Sequence, residues 1–141
     1  MEKATLISLL GINTFLNDIY EKEYRISDIL SKHDFSDEQI SILKNNYLCE
    51  SILILTKSIE KYIIEKHDGI RLYEIINKHY GYDGNKPLSL RKIGSEYSIS
   101  GERVRQLINK SIRIFKTQKA KAYITKEVIL NLRENIKDER I

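Results

Sequence analysis

The sequence has little of what stabilises secreted, membrane-spanning or metal-binding proteins. Its 141 residues include a single cysteine, Cys49, so no internal disulfide can form, which is typical of a reducing cytoplasm. No apolar run approaches the roughly 18 residues that a membrane-spanning helix needs. The three histidines, His33, His67 and His79, are scattered rather than spaced as metal ligands. We therefore expect a cytoplasmic protein with no metal ion, no other cofactor and no membrane partner.

Residues that interrupt helices are also rare, since the chain has six glycines and one proline. Apolar residues recur at intervals of three and four almost everywhere, which is the pattern of amphipathic helices. No segment alternates with period two for long enough to predict a sheet. We predict an all-α fold. Five apolar stripes each predict a helix: Leu9-Ile12-Leu16-Ile19-Tyr20, Ile26-Ile29-Leu30, Ile40-Leu43-Tyr47, Leu72-Ile75-Ile76-Tyr80 and Val128-Ile129-Leu132-Ile136.

Several helix ends can be predicted from local signals. Ser36 is placed as an N-cap, with Gln39 three residues later as its capping-box partner. The apolar stripe then continues to Ile63, which predicts one long helix or two helices with a break within residues 49–57. Residues 67–69, His-Asp-Gly, are expected to end this helix, and residues 81–87, which hold two glycines and the proline, to form a loop.

Charge is distributed unevenly along the chain. The net charge is +4, yet residues 86–121 carry ten basic side chains against two acidic ones, which makes this segment +8 and the remainder −4. A solvated helix face would intersperse the two signs, whereas here they are segregated. Segregation of this kind indicates a polyanionic partner. The ten basic residues are Lys86, Arg91, Lys92, Arg103, Arg105, Lys110, Arg113, Lys116, Lys119 and Lys121.

Within this basic segment, residues 89–116 have the pattern of a helix-turn-helix. Two short helices that cross closely need a shared apolar core, for which we predict the five inward residues Ile93, Tyr97, Ile99, Val104 and Leu107. Gly94 is expected where the second helix passes closest to the first, and Ser100 is expected to cap the second helix. The outward residues at the start of that helix, Gly101, Glu102, Arg103, Arg105, Gln106 and Asn109, include the types that read base edges in a major groove.

From about residue 57 to residue 117 the sequence resembles region 4 of the bacterial sigma-70 type sigma factors. That region has a glycine-rich turn, a threonine-leucine start to the first helix, and a serine-x-glutamate-arginine-valine-arginine-glutamine run. The matching stretches here are residues 79–90, then Ile93-Gly94, then Ser100-Gly101-Glu102-Arg103-Val104-Arg105-Gln106. Two departures are Gly101 in place of an arginine, and Arg91-Lys92 in place of an acidic pair.

The resemblance implies recognition of a −35-like promoter element by the second helix and docking on the flap of the RNA polymerase β subunit. It places Glu102, Arg103, Arg105 and Gln106 on DNA-contacting positions, and Lys110, Arg113 and Lys116 on phosphate- or activator-contacting positions. Together with the residues above, the predicted DNA-binding set is Arg91, Lys92, Ser100, Glu102, Arg103, Arg105, Gln106, Asn109, Lys110, Arg113 and Lys116. The predicted polymerase-contacting set is Leu72, Ile75, Ile76 and Tyr80.

The sequence is accordingly divided into three predicted parts. Residues 1–56 form an N-terminal helical module, residues 57–117 the DNA-binding domain, and residues 118–141 a C-terminal amphipathic helix. The N-terminal module has no counterpart in a sigma factor, because it is too short to melt a promoter and the chain has no tryptophan to capture unstacked bases. A sigma factor or a second copy of this chain is a further expected partner, and the expected DNA binding would associate the protein with the nucleoid.

Three functions remain open from the sequence. The first is a transcription regulator that binds promoter DNA and RNA polymerase. The second is an operator-binding repressor of phage or plasmid type without polymerase contact, and the third is an adaptor that mimics sigma region 4 on the polymerase flap. An enzyme is not expected, because the sequence offers no nucleophile–base pair, and Gly81–Gly84 lacks the lysine-serine ending of a phosphate-binding loop.

Overall fold

A computed structural model describes residues 2–67 and 69–138 of the chain, with side chains up to Asn135. These residues form helices and no strand, so the predicted all-α fold is confirmed. The helices are α1 (Lys3–Tyr20), α2 (Ile26–Ser31), α3 (Asp37–Asn46), α4 (Leu48–His67), α5 (Ile70–Tyr80), α6 (Leu90–Tyr97), α7 (Gly101–Lys116) and α8 (Gln118–Asp138). Asp68 of the predicted helix end lies outside the described residues, and so does the side chain of Ile136 in the last apolar stripe.

The predicted helix ends are largely confirmed. Ser36 caps α3, with its hydroxyl accepting a hydrogen bond from the Gln39 backbone N–H at 3.1 Å while the Gln39 side chain accepts one from the Ser36 N–H at 2.9 Å. Gly81 ends α5 with a φ of 78°, a conformation that glycine adopts at little cost. The loop predicted at residues 81–87 follows it and leads to α6.

The break in the long helical stretch lies at Tyr47, outside the predicted range of 49–57. Tyr47 leaves the helical conformation with φ −128° and ψ 28°, and α4 begins at the next residue. Leu43 and Ile52 are both buried although nine positions separate them, which on one straight helix would place them on opposite faces. The break changes the direction of the chain so that both side chains reach the core. The apolar pattern, which left one long helix or two helices open, therefore did not locate the junction.

The core is continuous from the first helix to the last. Its centre is an aromatic cluster in which Phe15 of α1 meets Tyr80 and Phe115 edge-on, with ring centroids 5.4 Å apart in each case. Tyr62 of α4 adjoins Phe115 at 5.5 Å. Helix α4 also packs extensively along α8 and crosses the predicted boundary at residue 56. The division into three parts stays a prediction, whereas the buried cluster joins side chains from all of them.

Within the described residues, no helix is both long enough and apolar enough to cross a lipid bilayer.

Candidate nucleic-acid interface

Helices α6 and α7 each begin at a serine N-cap. The Ser89 hydroxyl accepts a hydrogen bond from the backbone N–H of Lys92 at 3.2 Å, and the Ser100 hydroxyl accepts one from the N–H of Arg103 at 3.0 Å. Each cap satisfies an N–H that the helix itself leaves without a partner. The predicted cap at Ser100 is confirmed. It starts α7 at Gly101, which places Glu102 and Arg103 in the first helical turn.

Ser98, Ile99 and Ser100 connect the two helices tightly. Ser98 takes a left-handed conformation with φ 58°, and the Ile99 N–H donates a hydrogen bond to the Gly94 carbonyl at 2.9 Å. A Cβ atom at Gly94 would lie 2.5 Å from the Ile99 carbonyl oxygen and 3.2 Å from the Gly101 nitrogen. The close approach predicted at Gly94 is therefore confirmed, although it is made by the connection and the first residue of α7.

The shared core of α6 and α7 matches the prediction only in part. Ile93 and Val104 are completely buried, as expected. Ile99 and Leu107 are only partly buried, as is Tyr97, whereas Ile108 is 4% exposed. The buried face of α7 runs through Val104, Ile108, Ser111 and Phe115, at helical intervals of four, three and four. Ile108, which the sequence analysis did not include, therefore belongs to this buried face, whereas Leu107 lies at its edge.

The face of α7 opposite this core is polar and basic. Of the predicted DNA-binding residues, ten are exposed and Asn109 is partly buried. Glu102 is the sole acidic residue of α7, which carries five basic ones. The exposed ten are Arg91, Lys92, Ser100, Glu102, Arg103, Arg105, Gln106, Lys110, Arg113 and Lys116.

Two side-chain pairs organise the start of this face. The Arg105 guanidinium donates to the Glu102 carboxylate, with Nε and Oε2 2.9 Å apart, and Arg103 donates to the Gln106 side-chain oxygen at 3.3 Å. The hydrogen bond from Arg105 holds the pKa of the Glu102 carboxyl below its usual value, so Glu102 stays ionised at neutral pH. Both members of the ion pair are more than half exposed, and such surface pairs contribute little to stability. The side chains can therefore exchange these partners for others at small cost.

The far end of the face is linked to the N-terminal helix. Lys116 Nζ lies 2.9 Å from a carboxylate oxygen of Glu21, the residue that caps the end of α1. This hydrogen bond lowers the pKa of the Glu21 carboxyl. Sequence analysis missed the contact because its partners are 95 positions apart and no local pattern connects them. The N-terminal module, to which the sequence assigned no role, thus contacts the end of the basic face through this exposed pair.

A groove of about 410 Å³ runs beside α7 where α1 and α5 meet it. Arg105, Asn109 and Lys116 form one side, while Asp18 and His79 contribute to the other. Asp18 accepts a hydrogen bond from the Tyr80 hydroxyl at 2.6 Å, and burial lowers the pKa of His79, so the histidine is neutral at physiological pH. Neither Asp18 nor His79 was singled out from the sequence.

The four residues predicted to contact RNA polymerase are located in the core. Leu72 is 8% exposed, Tyr80 is 3% exposed, and Ile75 and Ile76 are completely buried. Helix α5 packs against α1, α4 and α7 through them, so no partner can reach their side chains in this fold. The interpretation of this stripe as a docking surface is corrected to one of ordinary core packing.

Comparison with protein-family models, with curated proteins and with solved structures finds no match to this chain. The similarity to sigma region 4 consequently stays a prediction from the residues alone.

Proposed function

We propose that this chain binds duplex DNA in a sequence-specific manner through α7 and regulates transcription. The observation that carries the proposal is the exposed, basic face of α7. Ser100 caps the start of this helix, and α6 packs against it. A capped helix with a preceding helix packed across it is the geometry by which helix-turn-helix proteins present side chains to a major groove.

The side chains on this face divide into two chemical groups. Arg103, Arg105 and Gln106 project from the first two turns of α7 and can form paired hydrogen bonds with guanine or adenine edges. Lys110 and Arg113 follow on the exposed face and suit phosphate oxygens, which fix the register of the protein without reading sequence. The two groups predict different consequences when they are removed.

The resemblance to sigma region 4 extends the proposal to a −35-like element and to RNA polymerase. The burial of the α5 stripe removes the residues on which polymerase docking was expected, and it favours an operator-binding regulator without polymerase contact as the second candidate. An adaptor that only occupies the polymerase flap has no need of the exposed arginines and glutamine. Comigration of the purified protein with core RNA polymerase in the absence of DNA distinguishes the first candidate from the second.

We expect a duplex selected by the protein from random sequences to be bound with an affinity that falls steeply as salt is raised. Lys110→Gln should weaken binding to all duplexes alike and reduce the slope of log K against log salt by about 1, because one phosphate contact is lost. Arg103→Ala should instead weaken binding to the selected duplex by about 1–3 kcal/mol and relax the sequence preference of the protein. Fluorescence anisotropy titrations across a salt series measure both effects. Equal binding of selected and random duplexes by the unaltered protein would contradict sequence-specific recognition.

A further inference from the structure

A second basic surface lies outside the helix-turn-helix segment. A groove of about 520 Å³ opens along one side of α8, closed by the end of α1 and the turn between α2 and α3. We call it the α8 groove. Among the described residues that line it are four basic or histidine side chains and no carboxylate: His33, Lys121, Lys126 and Arg133.

Two cations of the α8 groove, Lys121 and Arg133, are oriented by aromatic rings and by a backbone carbonyl. Lys121 Nζ lies 4.7 Å from the centre of the Tyr20 ring, and Arg133 donates a hydrogen bond to the backbone carbonyl of His33 at 2.8 Å. The Arg133 guanidinium also lies 5.4 Å from the ring of Phe35. Aromatic faces and backbone carbonyls orient a positive charge while leaving it available to an anion. Among the described residues neither cation forms a salt bridge, although Lys121 is near enough to Glu21 to contribute to lowering the pKa of that carboxyl. Both cations are therefore available to an anionic ligand.

Tyr20 extends this arrangement to neighbouring side chains. Its ring stacks on that of Tyr24 with centroids 3.8 Å apart. Lys32 and Lys22 in turn lie 5.0 and 5.8 Å from the centre of the Tyr24 ring. The stacked pair therefore gathers lysines from the α1–α2 connection, from the α2–α3 turn and from α8 around one surface.

The α8 groove continues from the basic face of α7. Thr117 alone separates α7 from α8, and Lys116 at the end of α7 binds Glu21. Glu21 follows Tyr20 directly in the chain, and Tyr20 lies under Lys121. The two surfaces therefore meet at the end of α1, where Lys116 compensates the intervening negative charge of Glu21.

We propose that the α8 groove binds the phosphate backbone of DNA that flanks the segment contacted by α7. The inference rests on the proposed function and extends it to a longer duplex. Lys121 and Arg133 are twelve positions apart on one helix, which corresponds to about 18 Å along its axis. A phosphate backbone is a polyanion long enough to follow cations over such a distance, and it already passes the adjoining face of α7 in the proposed complex. An acidic protein segment is the competing occupant.

The test compares two duplexes that carry the same selected site. The short duplex spans about 15 base pairs and the long one about 30, so that only the long one reaches beyond the α7 contact. The variant is Lys121→Gln/Lys126→Gln, which removes two cations that make no described hydrogen bond. The control is Lys44→Gln/Lys66→Gln, which lowers the net charge equally through exposed lysines of α3 and α4.

We expect the unaltered protein and the control to bind the long duplex about tenfold more tightly than the short one at moderate salt, and the variant to lose this gain. The salt slope on the long duplex should fall by about 2 in the variant, while binding to the short duplex is unchanged. The inference is overturned if flanking DNA adds no affinity, as an acidic protein partner would predict, or if variant and control behave alike on the long duplex. It is also overturned if the variant loses affinity equally for both duplexes. Failure of the unaltered protein to bind either duplex would instead reject the proposed function, and the inference with it.

Discussion

Phe15→Ala is expected to lower the free energy of unfolding by about 3–5 kcal/mol. The ring is completely buried at the centre of the aromatic cluster and makes edge contacts with Tyr80, Tyr82 and Phe115. Its removal leaves a cavity bordered by three ring systems, which cannot all move to fill it. Because these residues belong to α1, α5, α7 and the loop after α5, the whole fold should be weakened rather than one end of it. Urea unfolding followed by circular dichroism measures the change.

Leu10→Ala is the matched control for this variant. Leu10 lies on the same helix but is 56% exposed, so its truncation should change the free energy of unfolding by no more than about 0.5 kcal/mol. A loss below about 1 kcal/mol for Phe15→Ala would show that the aromatic cluster does not hold the helices together.

Gly94→Ala is expected to destabilise the protein by about 1–3 kcal/mol, although alanine is normally the better helix former. The added methyl group would lie 2.5 Å from the Ile99 carbonyl oxygen and 3.1 Å from the Ser100 carbonyl carbon. These are backbone atoms of the connection, so relief requires α6 and α7 to separate. We also expect a loss of DNA affinity, because α7 would no longer be held at the same angle. Thermal unfolding and DNA titration test the two effects.

Gly101→Ala provides the contrast. A Cβ atom there would have the Arg91 nitrogen as its nearest neighbour at 3.4 Å, which is ordinary van der Waals contact. Since Gly101 begins α7, alanine should be neutral or stabilise by up to about 1 kcal/mol. A gain in stability at both positions would contradict the tight approach of the two helices.

Local features of this fold could be predicted because they depend on neighbouring residues. The caps at Ser36 and Ser100 need a hydroxyl and an N–H three positions later, and the loop after Gly81 needs glycine and proline in sequence. The exposed face of α7 likewise follows from helical periodicity and the identity of its side chains. Such features can be predicted without knowing how distant helices pack.

Features that depend on packing could not be predicted in the same way. The periodicity of α5 shows one apolar face, but it does not tell whether that face meets the protein or a partner. Its burial became evident only from the arrangement of α1, α4 and α7 around it. The Lys116–Glu21 ion pair and the α8 groove arise similarly from segments far apart in sequence. Helical pattern also left the residue at the break, Tyr47, undetermined, because two helices and one long helix share the same local spacing.

The most direct measurement of the central proposal, that α7 reads duplex DNA, is the affinity of Arg103→Ala/Arg105→Ala for a duplex selected by the unaltered protein. Both side chains are exposed, so their truncation should leave the unfolding transition unchanged. If each side chain reads a base, the double variant should lose about 30-fold or more in affinity for the selected duplex. Its affinity for random DNA should differ little from that of Lys44→Gln/Lys66→Gln, which lowers the net charge equally. Unaltered affinity of the double variant for the selected duplex would contradict the assignment of α7 as the recognition helix.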